Sequence, residues 1–210
     1  MHSDKYRAAL GCLPPFLMFV LTVAFPLQAQ AAESALVVGI NGAPSVERAG
    51  KSEPLRQGAA VSVGDVIVTD AAAKVKLLLA DDSVLAIGPR SRVALDAFVL
   101  APGSRTVKLR VLAGRFKLAI AKFFGGASDY EVHTPTAVAG VRGTVLWGDT
   151  EIDAICALDG HIEVRATTGS GAAAQLAAGE CVNQMAAGKT TPLKPSAADL
   201  AAYLKEVTLD

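Results

Sequence analysis

The residues able to do chemistry in this 210-residue chain are few and scattered. Beyond the N-terminal leader its histidines are His133 and His161, and neither belongs to a His-x-His or His-Glu-x-x-His pattern, so no metal site is predicted. No Gly-x-Ser-x-Gly elbow, phosphate-binding glycine loop or dinucleotide fingerprint occurs, which leaves serine hydrolase chemistry and nucleotide cofactors without an anchor. The carboxylates of Asp81-Asp82 and of Asp149 to Asp153 read as turns, and Ca²⁺ needs a denser ligand set. A glycosidase pair is defined by its separation in space, which a sequence does not state. These absences predict a protein that is not an enzyme and carries no cofactor.

What remains is two cysteines and a set of cations. Cys156 and Cys181 are the pair outside the leader, and an even count in an exported chain favours a disulfide worth roughly 3 kcal/mol. The alternative is two buried free thiols; a redox-active pair lacks the C-x-x-C spacing. Lys108, Arg110, Arg115 and Lys117 occupy polar positions of the strands that flank Gly114. If those faces coincide, the four cations form a patch for an acidic partner or an anionic glycan. The bland reading is a solvated face whose charges deter edge pairing. Arg142, between Gly140 and Gly143, offers a guanidinium fork that ties neighbouring segments together or grips a partner's carboxylate. In the first case its loss lowers the melting temperature.

Short strands must position these groups. Val75, Leu77 and Leu79 alternate with Lys74 and Lys76; Val107, Leu109 and Val111 alternate with Lys108 and Arg110; Phe116, Leu118 and Ile120 follow Arg115 and Lys117. Val138 to Leu146 reads as a further strand stretch. Period-two patterning cut by Gly, Asp and Pro every eight to twelve residues or so is the all-β signature. The expectation is a single β-solenoid-like or β-sandwich domain of short strands over residues 35–187. Residues 188–210 then supply a linker and a short amphipathic helix. Ser196 to Asp199 forms its capping box, and Leu200, Tyr203, Leu204 and Val207 form its apolar stripe. That stripe packs back on the sheet or docks on a partner.

The N-terminus has the layout of a secretory signal peptide. Lys5 and Arg7 precede an apolar run from Leu13 to Phe25, and Ala29-Gln30-Ala31 is a small-x-small site, so cleavage is expected after Ala31, removing residues 1–31. The alternative is an uncleaved anchor helix, which Pro14 and Pro15 shorten. Export to the periplasm or the medium follows. Twenty basic residues balance twenty acidic ones, which argues against a nucleic-acid partner. Half the residues are apolar, which excludes a disordered chain.

The most specific stretch runs from His133 to Thr144, with Thr134-Pro135 at its start and Val141-Arg142-Gly143-Thr144 at its end. It resembles the "TP…VRGT" hallmark of the FecR domain family. Gly64-Asp65-Val66-Ile67-Val68-Thr69 is similar to that family's "GD-x-I-x-T", and Leu77 to Leu95 to its "L-x-DGS" stretch, with Asp82 where glycine is usual. Ala157 to Val164 and Leu176 to Glu180 resemble two later segments, and five motifs in order cover roughly residues 36–182. The resemblance implies a non-catalytic module outside the cytoplasm that senses or binds another protein. In signalling members the module receives a signal from an outer-membrane transporter, and a cytoplasmic segment controls a sigma factor. Seven residues precede the apolar leader here, so that cytoplasmic segment is expected to be absent and no sigma-factor contact is expected. The predicted partner is an envelope or inner-membrane protein. The alternative role is a structural envelope scaffold associated with polysaccharide.

Overall fold

A computed structural model describes residues 33–124, 126–169 and 172–209; the leader expected over residues 1–31 lies outside the described residues. The first third of the domain forms β1 (Glu33–Asn41), β2 (Ser45–Arg48), β3 (Lys51–Pro54), β4 (Ala60–Ser62), β5 (Val66–Val68) and β6 (Lys74–Leu79). Then come β7 (Val84–Ile87), β8 (Arg92–Ala101), β9 (Ser104–Ala113), β10 (Arg115–Ala119), β11 (Ala127–His133) and β12 (Ala137–Val141). The last part holds β13 (Val145–Asp149), β14 (Ala154–Asp159), β15 (His161–Ala166), β16 (Ala174–Ala177) and β17 (Cys181–Asn183). A 3₁₀ turn at Met185–Ala187 and the helix α1 (Ala197–Val207) complete the described chain.

Two sheets result. One has the order β17-β14-β13-β10-β7-β6-β1-β4, the other β16-β15-β12-β11-β9-β8-β5-β2-β3. The chain lays one or two strands in one sheet, crosses to the other and returns, so both sheets grow nearly in sequence order. Neighbours are antiparallel except β9 and β11, which the intervening β10 in the opposite sheet makes parallel. No barrel closes, and the architecture is a two-sheet sandwich. Its core is the inward parity of each strand: Val75, Leu77 and Leu79 are buried while Lys76 and Leu78 face out. Ile67, Leu85, Leu109, Val132, Ala139 and Ile162 belong to the same apolar layer between the sheets.

The stretch Val138 to Leu146 is not one strand. It breaks at Gly143, whose φ of +57° turns the chain, so that β12 lies in the nine-stranded sheet and β13 in the eight-stranded one. Residues of the earlier motifs hold other crossovers. Asp65 is buried and accepts from Arg48 at 2.8 and 2.6 Å and from the Ser62 N–H. The buried Thr69 hydroxyl donates to the Gly88 carbonyl at 2.7 Å and accepts from the Ser91 N–H at 2.8 Å. Asp82, in the position where the resembling family carries glycine, takes φ +64°, a left-handed conformation that aspartate tolerates better than most residues.

The helix α1 packs back on the outer face of the eight-stranded sheet. Ser196 Oγ caps it by accepting from the Asp199 N–H at 3.1 Å. Tyr203 stacks on Trp147 with ring centroids 4.5 Å apart and planes within 7°. Lys74 Nζ donates to the carbonyls of Lys205 and Thr208, closing the helix's C-terminal end. Beneath lies the disulfide between Cys156 and Cys181, which face each other across the β14–β17 ladder and join a small apolar cluster with Trp147, Ala154 and Val207.

Candidate functional site

The sequence offers three groups of candidates, and the structure separates them. Cys156 and Cys181 are bonded to each other and buried, a structural link rather than a reactive site. The four cations around Gly114 do not meet as one patch. Lys108 and Arg110 lie on β9, on the outer face of the nine-stranded sheet, while Arg115 and Lys117 lie on β10 in the other sheet. Lys108 pairs with Glu131 at 3.0 Å and Arg110 with Asp96 at 2.8 Å. Arg115 is only 7% exposed. Its guanidinium is ion-paired with Asp149 at 3.0 Å and hydrogen-bonds Glu151 at 2.7 Å and Glu206 of α1. The correction has a simple cause: a chain that crosses between sheets at Gly114 sends the next outward face to the opposite side, and α1 then covers it.

The motif around Arg142 is different. Thr134 and Pro135 shape the turn between β11 and β12, where the Thr134 hydroxyl accepts from the Ala137 N–H at 3.0 Å. Val141 and Thr144 are buried on either side of the crossover. Arg142 projects outward between them, exposed, and among the described residues it makes no hydrogen bond or ion pair. The clamp expected of it is therefore not formed by any described residue. A Cβ at Gly140 would meet nothing within 4 Å, so that glycine is not forced by crowding.

Two open hollows meet at Arg142 and Ser128. The larger, about 590 Å³, runs over the outer face of the nine-stranded sheet. Its floor is a cross-strand row in register, Lys108–Glu131–Gly140–Glu163–Gln175, in which the missing side chain of Gly140 makes the trough. His161 and Asp129 stand on its rim. The carboxylates are engaged: Glu131 bonds His133 at 2.8 Å and Lys108 at 3.0 Å, and Glu163 accepts from Gln175 at 2.7 Å. The hydrogen bond from His133, with that of Lys108, holds the Glu131 carboxyl below its usual range, the wrong direction for a general acid near neutrality. Among the described residues no cluster of three or more His, Cys, Asp or Glu side chains could hold a metal ion.

The smaller hollow, about 380 Å³, lies at one end of the sandwich between residues 122–124 and 126–128 on one side and Arg142-Gly143 on the other. Its floor is a residue that the sequence reading did not single out. Arg105 on β9 is buried, and its guanidinium bonds Asp81 at 2.8 Å, the Ala121 carbonyl at 3.1 Å and Ser128 Oγ at 3.0 Å. Asp81 also accepts from Ser83 Oγ at 2.8 Å. The rings of Phe123 and Tyr130 flank the cation at 5.1 and 5.3 Å. Parity was the available signal, because Arg105 shares the inward register of Val107, Leu109 and Val111. Around this floor Lys122 and Phe124 are exposed, the latter at 86%.

Comparison with known proteins bears on this arrangement. The family described as "FecR protein" matches residues 65–171, a span that holds both hollows' motif residues up to Glu163. Two crystal structures, at 1.65 and 2.50 Å resolution, of a protein from Parabacteroides distasonis ATCC 8503 described as a "putative anti-sigma factor" are similar in fold. Each superimposes with a TM-score of 0.51 at 18% identity, over 66% of this chain. The match spans 64% of the first neighbour's chain and 63% of the second's, less than two thirds of either. At that identity the likeness concerns the fold alone. No curated protein matches the chain.

Proposed function

Because this chain belongs to the FecR family, matched over residues 65–171, we propose that it is a regulatory module acting outside the cytoplasm by binding another protein, without catalysis. The observation that carries the reading is Arg142. Asp65, Thr69 and Ser83 of the earlier motifs are buried and spent on holding the sandwich, whereas Arg142, in the family's most specific motif, is exposed and makes no hydrogen bond or ion pair among the described residues. A charge displayed at the junction of two hollows suits recognition. The engaged carboxylates of the larger hollow support a surface that binds rather than reacts.

Export is supported by the leader pattern over residues 1–31 and by the Cys156–Cys181 disulfide, a bond that persists in oxidising compartments. The description of the fold neighbour as an anti-sigma factor supports a signalling role of some kind. The partner class is an envelope or inner-membrane protein.

Crosslinking in intact cells tests this reading. A photoreactive residue placed at position 124 or 142 of the tagged protein should give one dominant adduct with a membrane or envelope protein, identified by mass spectrometry. Adducts with envelope glycan alone would replace the module by a polysaccharide-associated scaffold. An absence of any adduct specific to these positions would overturn the proposal.

A further inference from the structure

The end of the sandwich carries a surface whose chemistry defines what it receives. We propose that Lys122, Phe124 and Arg142 form a docking site for an extended acidic segment of a protein partner that also presents an apolar side chain. This rests on the binding-module reading and adds the site and the partner's chemistry.

Three observations converge. The first is charge. Around the smaller hollow, Lys122 and Arg142 make no hydrogen bond or ion pair among the described residues. Four cations of the nine-stranded sheet are by contrast ion-paired: Arg48 with Asp65, Arg92 with Glu47, Lys108 with Glu131 and Arg110 with Asp96. Asp81, beneath this hollow, has its side chain buried and taken by Arg105. Two uncompensated cations beside one another attract carboxylates and steer them in. Both line the smaller hollow, and the backbone next to Arg142 approaches Lys122, since a Cβ at Gly143 would sit 3.7 Å from Lys122 Cγ.

The second is apolar surface. Phe124 is the most exposed large hydrophobic residue among those described, at 86%. Leu100, which lies opposite Arg105 across β8 and β9, is exposed as well. Aromatic residues and arginine are enriched at interface centres.

The third is rigidity. The segment that carries Lys122 and Phe124 is held on both sides. Ile120 N–H donates to the Thr144 carbonyl at 2.9 Å, and Ala121 N–H donates to Ser83 Oγ at 3.1 Å. Phe123 lies over the Arg105 guanidinium, and the Ala127 N–H donates to the Gly103 carbonyl at 3.0 Å. Backbone anchored at Ile120, Ala121 and Ala127 loses little freedom on binding. Orientation follows from the neighbouring trough: Asp129 on its rim has no ion pair among the described residues and repels further carboxylates, so the partner's acidic residues sit over Lys122 and Arg142 and an uncharged or basic residue continues over Gly140.

The probe is a display library of random twelve-residue peptides, selected on the purified protein. Enriched sequences should pair Asp or Glu with Phe, Leu or a similar side chain. Binding of the best peptide, followed by fluorescence anisotropy, should weaken at least about tenfold in the K122E/R142E variant and several-fold in F124S. It should stay unchanged in K117E, on the opposite sheet. All three positions of the site are exposed, so an unchanged melting temperature will show that the variants fold. Enrichment without acidic residues, no enrichment at all, or full binding by K122E/R142E would overturn the site. The cellular crosslink separates the two levels: K122E/R142E protein that still captures the wild-type partner removes this docking site and leaves the module reading intact, whereas wild-type protein without a partner removes the module reading itself.

Discussion

The buried polar side chains of this protein sort by what they hold. Arg105 and Asp81 join the two sheets at one end, since Arg105 comes from β9 and Asp81 from the turn between β6 and β7. Their side chains are 1% and 3% exposed, so neither charge has water to fall back on. Removing one partner from such a pair leaves the other buried and uncompensated, at a cost of about 3–5 kcal/mol. We expect R105A to lose stability of that order in urea denaturation. A loss under about 1 kcal/mol would mean that solvent enters and hydrates Asp81. Because Phe123 lies over the same guanidinium, the variant should also loosen the segment that presents Lys122 and Phe124.

At the scale of elements, α1 is the part whose contacts are most specialised. Its apolar stripe meets a single patch of the eight-stranded sheet, through Tyr203 on Trp147 and Val207 beside Gly88, and Glu206 closes the cluster around Arg115. Gly88 is required there, since a Cβ would come within 2.6 Å of the Arg115 side chain. Trp147 is the chain's one tryptophan, so its emission reports on the cluster this contact belongs to. Y203A should shift that emission to the red and cost about 1–3 kcal/mol, from the lost stacking and burial. An unshifted spectrum would show that the helix shields Trp147 without Tyr203. The disulfide beneath keeps β17 on β14 while the helix is disturbed, so the sandwich should retain its β-sheet signal by circular dichroism.

For the molecule as a whole, three shifted groups shape the pH dependence beside Lys108, whose hydrogen bond to Glu131 raises its pKa. Hydrogen bonding to Arg92 lowers the pKa of Glu47, and hydrogen bonding to His133 and Lys108 lowers that of Glu131, from an ordinary 4.5. A carboxylate whose folded pKa is depressed contributes stability that is present above its unfolded pKa and lost as the pH falls through the folded one. Tyr130 has the opposite sign: burial first, and the nearby Asp81 charge second, push its pKa above the ordinary 10.0. Its contribution is present below pH 10 and lost as the pH rises beyond it, because the unfolded chain ionises first. Melting temperature plotted against pH should therefore be flat from about 6 to 9 and fall on both sides. E131Q should flatten the acid limb in part, and Y130F should flatten the alkaline one. An acid limb unchanged in E131Q would show that the Lys108–Glu131–His133 contacts do not persist in solution.

Local chemistry was legible from the sequence, and the reason is the short range of the signals. Period-two alternation assigned Val75, Leu77 and Leu79 to the core, and it also held the inward register of Arg105, which charge alone disguises. The Ser196 cap and the stripe of α1 lie within one turn-to-turn spacing, and two cysteines beyond the leader admit one pairing. Sheet membership was not legible. Parity tells which way a side chain points from its strand, and a crossover at Gly114 or Gly143 decides which sheet, and so which side of the molecule, that direction faces. Hence Arg115 and Lys117 part company with Lys108 and Arg110, and Arg115 disappears under a helix ninety-one residues away in Glu206's case. Hence also Arg142, whose neighbours across the crossover turned out to offer it no carboxylate among the described residues. Alternation is a property of adjacent residues and survives in the sequence; the meeting of distant faces depends on how the whole chain is wound, and only the folded sandwich decides it.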